Sequence, residues 1–248
     1  AKAADEPWWR FLGGDDNRVH AYAGGVDLHF TLDALVKQTE GFLDQGFRAI
    51  KMKVGRDHLS EDLERVAHIR NLLGPDLPLM VDANMGWRVD EAIRGARAFA
   101  EHNVYWLEEP TIPDDYAGHA QIAREGGVPI ATGENLRTLH EFEHMIRYGE
   151  IAFPEPDAAI CGGVTTWLKI ARLAEANNLP VTSHGVHDLH VHLLSAVPNA
   201  SFLEVHMFGL ERFIQHPIVI EEGYAVAPDR PGHGVELDWD ALSEHKVS

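Results

Sequence analysis

Two lysines and three acidic residues are spaced along the chain as a catalytic centre would require. Lys51 and Lys53 alternate within the apolar run Ile-Lys-Met-Lys-Val, so on a β-strand both ammonium groups would point to the same side. Asp82, Glu108 and Glu134 follow at intervals of roughly 26 to 29 residues, each near the end of another apolar run. Three converging carboxylates repel one another unless a cation balances them. Oxygen ligands with places left for water and substrate suit Mg²⁺, with Mn²⁺ as a substitute.

Asp157, His184 and Glu204 continue this series after three further apolar runs. A carboxylate hydrogen-bonded to an imidazole fixes the ring tautomer and raises its basicity, so Asp157 and His184 would make a competent general base. A plainer interpretation is open for every acid in the series, because each could be solvated in a loop or paired with a lysine. The regular placement of three acids at successive strand ends favours the metal site.

A repeat of short apolar runs and longer helix-like stretches accounts for the spacing. The runs typical of strands cover 20–23, 49–54, 79–83, 105–109, 130–134, 151–154, 181–184 and 202–206. Between them, apolar residues recur with a helical period over 32–45, 60–73, 89–102, 116–126, 139–148, 164–177 and 188–197. Such alternation predicts a parallel sheet, here closed into an α/β barrel. The ionisable residues then lie at the carboxyl ends of the strands, where barrel enzymes carry out chemistry.

The composition of the chain limits which kinds of molecule it is expected to bind. With 248 residues and 45% hydrophobic content, the chain can bury one large core, and a single barrel takes about 250 residues. The formal net charge of −18 argues against binding to nucleic acid or to anionic lipid, which requires clustered Lys and Arg. One cysteine, Cys161, cannot form an internal disulfide, and no signal peptide or bilayer-spanning run is seen. We expect a cytoplasmic protein that binds a small molecule.

The ordered set of polar residues resembles the enolase superfamily, and within it the mandelate racemase subgroup. The match is Lys-x-Lys, then Asp, Glu, Glu, then an Asp and His pair, then Glu, over nearly the whole chain from about Arg18. The resemblance implies a modified TIM barrel of the (β/α)7β type, preceded by an α+β capping domain that these residues do not encode. We therefore expect a linker at 1–17, the catalytic barrel at 18–206, and an irregular tail at 207–248 that packs on the barrel or the capping domain.

The resemblance also implies roles for the central residues. Asp82, Glu108 and Glu134 would be the ligands of Mg²⁺. Lys53 and His184 would be bases on opposite faces of the substrate.

Further residues would support these bases and the metal. Lys51 would sit against the substrate carboxylate, and Glu204 would hydrogen-bond to one of its oxygens. Asp157 would orient His184. Asn84 and Asn135, just past two of the ligands, are expected as substrate contacts or as supports of the ligands. His206 either faces the same pocket and contacts substrate or is a structural histidine.

These roles imply removal of the proton α to a carboxylate through an enediolate. Family members with this residue set resemble acid-sugar dehydratases more often than racemases, so we expect dehydration of an aldonate or aldarate to a 2-keto-3-deoxy acid. Three alternatives stay open: a racemase or epimerase of a 2-hydroxy acid, a cycloisomerase of a sugar-acid lactone or anhydro sugar acid, and a metal-binding pseudoenzyme. The resemblance also implies a homo-oligomer, either a dimer or an octamer.

Four histidines between 184 and 192 suggest a competing metal site. The stretch His184-Gly-Val-His187-Asp-Leu-His190-Val-His192 has the composition of a zinc cluster. His190 and His192 are two residues apart on a predicted helix and cannot share one helical face. The sequence therefore favours structural roles for these histidines, apart from His184.

Overall fold

The computed structural model describes residues 1–206 and 208–245 and has the predicted parallel α/β barrel. Its strands are β1 (Arg18–Gly24), β2 (Ile50–Lys53), β3 (Leu79–Asp82), β4 (Leu107–Glu108), β5 (Ile130–Thr132), β6 (Phe153–Pro154), β7 (Phe202–His206), β8 (Val219–Glu221) and β9 (Tyr224–Val226). Its α-helices are α1 (Trp8–Phe11), α2 (Leu32–Asp44), α3 (Leu59–Leu73), α4 (Val89–Ala100), α5 (Tyr116–Gly126), α6 (Leu139–Tyr148), α7 (Val164–Ala176), α8 (His187–Ser195) and α9 (Trp239–Ser243). No helix within these described residues is long and apolar enough to cross a bilayer.

Helices α2 to α8 lie within two residues of their predicted bounds, because local signals mark their ends. The Thr31 side chain accepts a hydrogen bond from the Ala34 amide at the start of α2. Thr138 and Glu141 form a reciprocal capping box on α6. Gly74 follows α3 with a φ of 74°, a conformation that favours glycine.

Parallel pairing in sequence order joins β1 to β6, and β7 returns to pair with β1 from His20 opposite Phe202 to Gly24 opposite His206. The remaining gap, between β6 and β7, is filled by the segment 181–183. There the Thr182 amide donates to the Pro154 carbonyl at 3.0 Å. The wall of the barrel is thereby continuous.

The prediction of a regular strand at 181–184 is wrong. Val181 makes only an isolated bridge, to Ala200. The chain then turns into α8 through Gly185 at φ 63° and Val186 at φ 27°, so no ladder of backbone hydrogen bonds extends to His184. Ladder pairing therefore does not position His184, as it positions the site residues on β2 to β4.

An apolar plug fills the barrel beneath the polar residues. Side chains alternate across each strand, so inward positions meet on the barrel axis while the outward ones pack against the helices. Trp106 is completely buried in the plug, and its ring meets the edge of Tyr22 at a centroid distance of 5.5 Å. The plug consists of Tyr22, Ala49, Met80, Trp106 and Ala131, with Phe153 and Phe202 packed against it.

The tail was expected to be irregular, and this is wrong for part of it. β8 and β9 form a hairpin whose two loop residues, Glu222 and Gly223, have φ values of 50° and 86°, as a tight primed turn requires. β2 covers only Ala23 and Gly24 of β1, which leaves the earlier residues of β1 unpaired on that side. β9 pairs with them in the antiparallel direction, and thereby satisfies backbone groups that would otherwise be left open.

The first residues and the tail meet at one side of the barrel. The Trp8 amide donates to the Gly232 carbonyl at 2.8 Å. The buried ring of His192, on α8, joins both segments: Nδ1 accepts from the Trp9 amide at 3.3 Å, and Nε2 lies 3.0 Å from the His233 carbonyl, to which it donates. Burial lowers the pKa of His192 to about 4.

Because His192 is neutral when buried, acid should weaken this junction. Its pKa is lower in the folded than in the unfolded protein, so the stabilisation is present above about pH 6.5 and is lost as the pH falls towards 4. We expect His192→Gln to lessen the loss of unfolding free energy between pH 7 and pH 5, a loss of at most about 2 kcal/mol for this group. Urea denaturation at several pH values measures it. A control, exposed His140→Gln, should keep the wild-type slope; equal slopes for all three proteins would contradict the assignment.

Candidate active site

Strands β2, β3 and β4 place their last side chains next to one another. The register pairs Lys53 with Asp82, and Asp82 with Glu108. Lys51 lies one pleat earlier on β2, and Glu134 follows the end of β5. Adjacent parallel strands thus bring residues far apart in sequence to the carboxyl end of the barrel, as the spacing predicted.

The three predicted metal ligands come together. Oxygen atoms of Asp82, Glu108 and Glu134 all lie within 4.8 Å of one another. Asp82 and Glu108 are buried, while Glu134 is half-buried. A donor set made only of carboxylate oxygens, open on one side, fits a hard divalent cation such as Mg²⁺.

Lys51 is a buried ammonium group among carboxylates. Its Nζ lies 2.5 Å from Oε1 of Glu108, 2.6 Å from Oε1 of Glu204 and 3.7 Å from Oδ2 of Asp82. It also donates to the Tyr22 hydroxyl at 3.2 Å. Lys51 and Glu204 are therefore in contact, and Lys51 links the carboxylate cluster to β7, the strand on the other side of β1.

Burial and charge together set the ionisation of this group. Burial acts to lower the pKa of Lys51, but the carboxylates of Glu108 and Glu204 outweigh it and raise the pKa well above its usual value. Burial acts to raise the pKa of Glu204, yet Lys51 holds it well below. Glu108 differs: burial, with Asp82 and Glu204 nearby, raises its pKa well above the usual value despite Lys51. One ammonium group therefore does not neutralise these acids, and a further cation would stabilise them.

Lys53 forms an ion pair with Asp82, with Nζ 2.5 Å from Oδ2. Burial acts to lower the pKa of Lys53, and the nearby charge of Lys51 lowers it further. Asp82 has the greater combined effect, and the net shift is upward. The spacing in the sequence did not show that Asp82 would pair with Lys53. A cation that engaged Asp82 would weaken this hold on the lysine.

The predicted pair of Asp157 and His184 is formed. Nδ1 of His184 lies 3.1 Å from Oδ2 of Asp157, and Nε2 faces the carboxylate cluster at 3.3 Å from Oε2 of Glu134. Burial opposes the charged ring, but the Asp157 hydrogen bond and the charges of Glu204 and Glu134 raise the pKa of His184. His184 is therefore oriented by one carboxylate and directed towards the same space as Lys53.

His206 lies on the inner face of β7, like Glu204. Its Nε2 is 2.9 Å from Oε2 of Glu204, and its ring is 5.4 Å from that of His184. Phe208 stacks on the other side of the His206 ring at 4.8 Å. Of the two interpretations that the sequence left open, this position is compatible with a residue that faces the pocket.

The two asparagines have different positions. Asn84 is exposed, and its backbone amide donates to Oδ1 of Asp82 at 2.8 Å. The Asn135 amide group donates to both oxygens of Glu109 at 2.9 Å and to Glu134 at 3.3 Å. Asn135 thus contacts one predicted metal ligand, Glu134, through its side chain, while Asn84 contacts another, Asp82, through its backbone.

Sequence reasoning missed two buried glutamates at the site. Glu109 follows Glu108, but its φ of 38° departs from strand geometry. Burial and the charge of Glu134 raise the pKa of Glu109 to about 8. Glu155 is 1% exposed and neither of its carboxyl oxygens has a hydrogen-bond partner. Glu109 lies in the motif Glu-Glu-Pro directly after Glu108, and Glu155 lies in Phe-Pro-Glu-Pro two residues before Asp157. Each is close to an acid that the spacing favoured more, so the sequence did not single it out.

The four histidines of the 184–192 stretch do not gather into one cluster. His187 lies 3.5 Å from Asp188, while the ring nitrogens of His190 and His192 contact backbone groups. The zinc interpretation therefore has no support among the described residues.

Comparison with known proteins assigns a family to this geometry. Residues 34–241 match the family model described as enolase C-terminal domain-like. The chain belongs to this family. The resemblance seen in the sequence is thereby confirmed.

Three proteins of this family illustrate the similarity in sequence and structure. The chain is 54% identical over 98% of its length to a 3,6-anhydro-alpha-L-galactonate cycloisomerase of Streptomyces coelicolor, of which it covers 68%. A racemase structure from Streptomyces coelicolor A3(2) with bound magnesium superposes with a TM-score of 0.95 at 52% identity, over 99% of this chain and 68% of that one. L-Talarate dehydratase from Polaromonas sp. JS666, complexed with Mg and L-glucarate, superposes with a TM-score of 0.91 at 37% identity, over 98% and 68%.

Removing one carboxylate of the predicted metal site should abolish tight Mg²⁺ binding. We expect Glu134→Gln to weaken Mg²⁺ affinity at least about tenfold, since an ionised oxygen ligand is replaced by a neutral one. Isothermal titration calorimetry measures this without substrate. Glu155→Gln is the matched control, because Glu155 is a buried glutamate of the same site that has no hydrogen-bond partner and does not belong to the group of three predicted ligands. Equal affinities for the wild type and Glu134→Gln would contradict the ligand assignment.

Proposed function

We propose that this enolase-family barrel uses Mg²⁺ to abstract the proton α to a substrate carboxylate and then expels an oxygen from the β carbon. The observation that carries the proposal is the placement of Lys53 and His184 on separate sides of one carboxylate cluster. Each is held by its own acid, Asp82 for the lysine and Asp157 for the histidine. The arrangement supplies two proton-transfer groups to a single bound carbon.

The remaining site residues would handle the charge that proton removal creates. Bound Mg²⁺ would supply Lewis-acid stabilisation of negative charge on the substrate carboxylate. Lys51, buried and positively charged, would stabilise the developing enediolate from below. Glu204 holds Lys51 in place. It would hydrogen-bond to a substrate carboxylate oxygen through a proton shared between the two groups. His206 would contact a substrate hydroxyl or ring oxygen from its place beside His184.

The nature of the leaving oxygen decides the reaction. If it is a hydroxyl group, the reaction is dehydration of an acid sugar; if it is the ring oxygen of an anhydro sugar acid, the ring opens and the product is an isomer. In both cases one group removes the α-proton, the other protonates the leaving oxygen, and the enol becomes a 2-keto-3-deoxy acid. The 54% identity to the cycloisomerase, against 37% to the dehydratase structure, favours ring opening. Dehydration of an aldarate is the second candidate.

We further infer a cytoplasmic, homo-oligomeric enzyme that acts on a small carboxylate. A single buried cysteine suits a reducing compartment. The acidic composition supports a small-molecule substrate that binds together with its own cation. A dimer or an octamer is the assembly that the family resemblance suggests.

Product analysis tests the substrate class. The full-length protein with Mg²⁺ should convert 3,6-anhydro-L-galactonate to a 2-keto-3-deoxy acid, and should act more slowly on galactarate and glucarate. Proton NMR of the product distinguishes ring opening, dehydration and simple epimerisation. Turnover of none of these acids, or epimerisation without loss of the β-oxygen bond, would contradict the proposal.

Removing either proton-transfer group should affect rate more than binding. We expect Lys53→Ala and His184→Asn each to lower kcat about 10²- to 10⁴-fold, because each removes a general acid or base, while Mg²⁺ affinity changes by only a few-fold. Lys169→Ala, an exposed lysine on α7, is the control. Unchanged kcat in both catalytic variants would rule out the two-group mechanism.

A further inference from the structure

His190 is a completely buried histidine directly behind the Asp157 and His184 pair. It lies in the first turns of α8, and both of its ring nitrogens contact backbone groups. Nε2 lies 2.9 Å from the amide nitrogen of Ala158, and Nδ1 lies 2.7 Å from the carbonyl oxygen of Gly185. The ring thus spans two separate loops of the site.

These two contacts define one tautomer of the ring. The Ala158 amide can only donate a hydrogen bond, so Nε2 of His190 must carry a lone pair. The Gly185 carbonyl can only accept, so Nδ1 must carry the proton. Burial lowers the pKa of His190, which keeps the ring in this neutral form.

Each loop held by His190 carries one member of the catalytic pair. Ala158 directly follows Asp157, and Gly185 directly follows His184. On the other side of Asp157, the Pro156 carbonyl accepts a hydrogen bond from the Trp167 indole at 2.8 Å. Peptide groups on both sides of Asp157 are therefore fixed by buried side chains.

The two loops approach each other too closely to tolerate loose packing. A Cβ added to Gly185 would lie 2.7 Å from Oδ2 of Asp157, the same oxygen that contacts Nδ1 of His184. The Gly185 amide also donates to Oε2 of Glu204 at 3.2 Å. A small displacement of the Gly185 peptide would therefore move the His184 ring relative to both carboxylates.

Regular sheet pairing cannot fix this geometry. The ladder that aligns Lys53, Asp82 and Glu108 is reduced here to the isolated bridge at Val181 and one hydrogen bond from the Thr182 amide to the Pro154 carbonyl, and does not reach His184. The His190 ring supplies a connection between the β6 and α8 loops where backbone pairing is absent.

We propose that His190 is a positioning residue that sets the separation of Asp157 and His184 by joining the peptide groups next to each of them. The inference rests on the proposed role of His184 in proton transfer. Its effect should appear in the rate of proton transfer and not in the binding of metal or substrate.

Steady-state kinetics on the full-length protein tests this role. His190→Leu removes both hydrogen bonds, and we expect kcat to fall about 10- to 100-fold with KM and Mg²⁺ affinity within about threefold of wild type. His190→Gln keeps a donor and an acceptor and should recover at least part of this loss. If the leucine variant does not fold, His190→Asn takes its place in the comparison with His190→Gln. The asparagine retains only a donor near Nδ1, so its kcat should be lower than that of the glutamine variant.

His192→Leu is a matched control for the loss of a buried histidine. It lies two residues further along α8, is equally buried, and also joins two backbone segments, but neither carries a site residue. We expect it to lower thermal stability as much as His190→Leu does, with a much smaller effect on kcat. Equal effects on kcat would mean that His190 acts through stability alone, and would overturn the proposal.

A double-mutant cycle separates this inference from the proposed function. In an Asp157→Ala background, where the pair is already broken, His190→Leu should lower kcat little further. Full additivity would overturn the positioning role. If His184→Asn retains wild-type kcat, the proposed function itself fails; if His184→Asn is inactive while His190→Leu is fully active, only the inference about His190 fails.

Discussion

Repulsion among buried carboxylates at the mouth of the barrel is the constraint on which the site depends. Asp82, Glu108 and Glu134 approach within 4.8 Å, and Glu204 joins them through Lys51. Burial makes each uncompensated charge costly, and the raised pKa of Glu108 expresses that cost. The Lys51 ammonium group offsets part of it, and a divalent cation would offset the rest. The same positive charge would then be available to stabilise an enediolate, so the stability of the site and its chemistry have one electrostatic origin.

The two halves of the mouth are held in different ways. On one half, parallel register places Lys53, Asp82 and Glu108 side by side, so backbone hydrogen bonds fix two of the predicted metal ligands. On the other half, regular pairing ends before His184, and side-chain to backbone contacts take over. Backbone pairing would give metal ligands a rigid geometry. On the other half, the orientation of His184 towards a substrate depends on a few side-chain contacts.

Much of the arrangement could be predicted because it follows from spacing. A βα unit has a characteristic length, so acids one unit apart, such as Asp82 and Glu108, had to lie on neighbouring strands. The burial of Glu109 at the site and the contacts of His190 could not be predicted in this way. The backbone of Glu109 turns away from strand geometry at a φ of 38°, and the His190 ring contacts two loops that are distant from it in sequence or separate from each other. The β8 to β9 hairpin had a local signal in Glu222 and Gly223, but its pairing with β1 is a long-range contact that periodicity does not encode.

The proposed chemistry requires that the α-hydrogen leave the substrate as a proton. Turnover of an accepted acid sugar by the full-length protein in D₂O, with the product analysed by NMR, addresses this directly. Removal by a side-chain base predicts solvent-derived deuterium at the carbon next to the new keto group, because the abstracted proton exchanges with solvent before the enol is protonated. Complete retention of the substrate's own α-hydrogen at that carbon would exclude a base that exchanges its proton with solvent, and would contradict the mechanism.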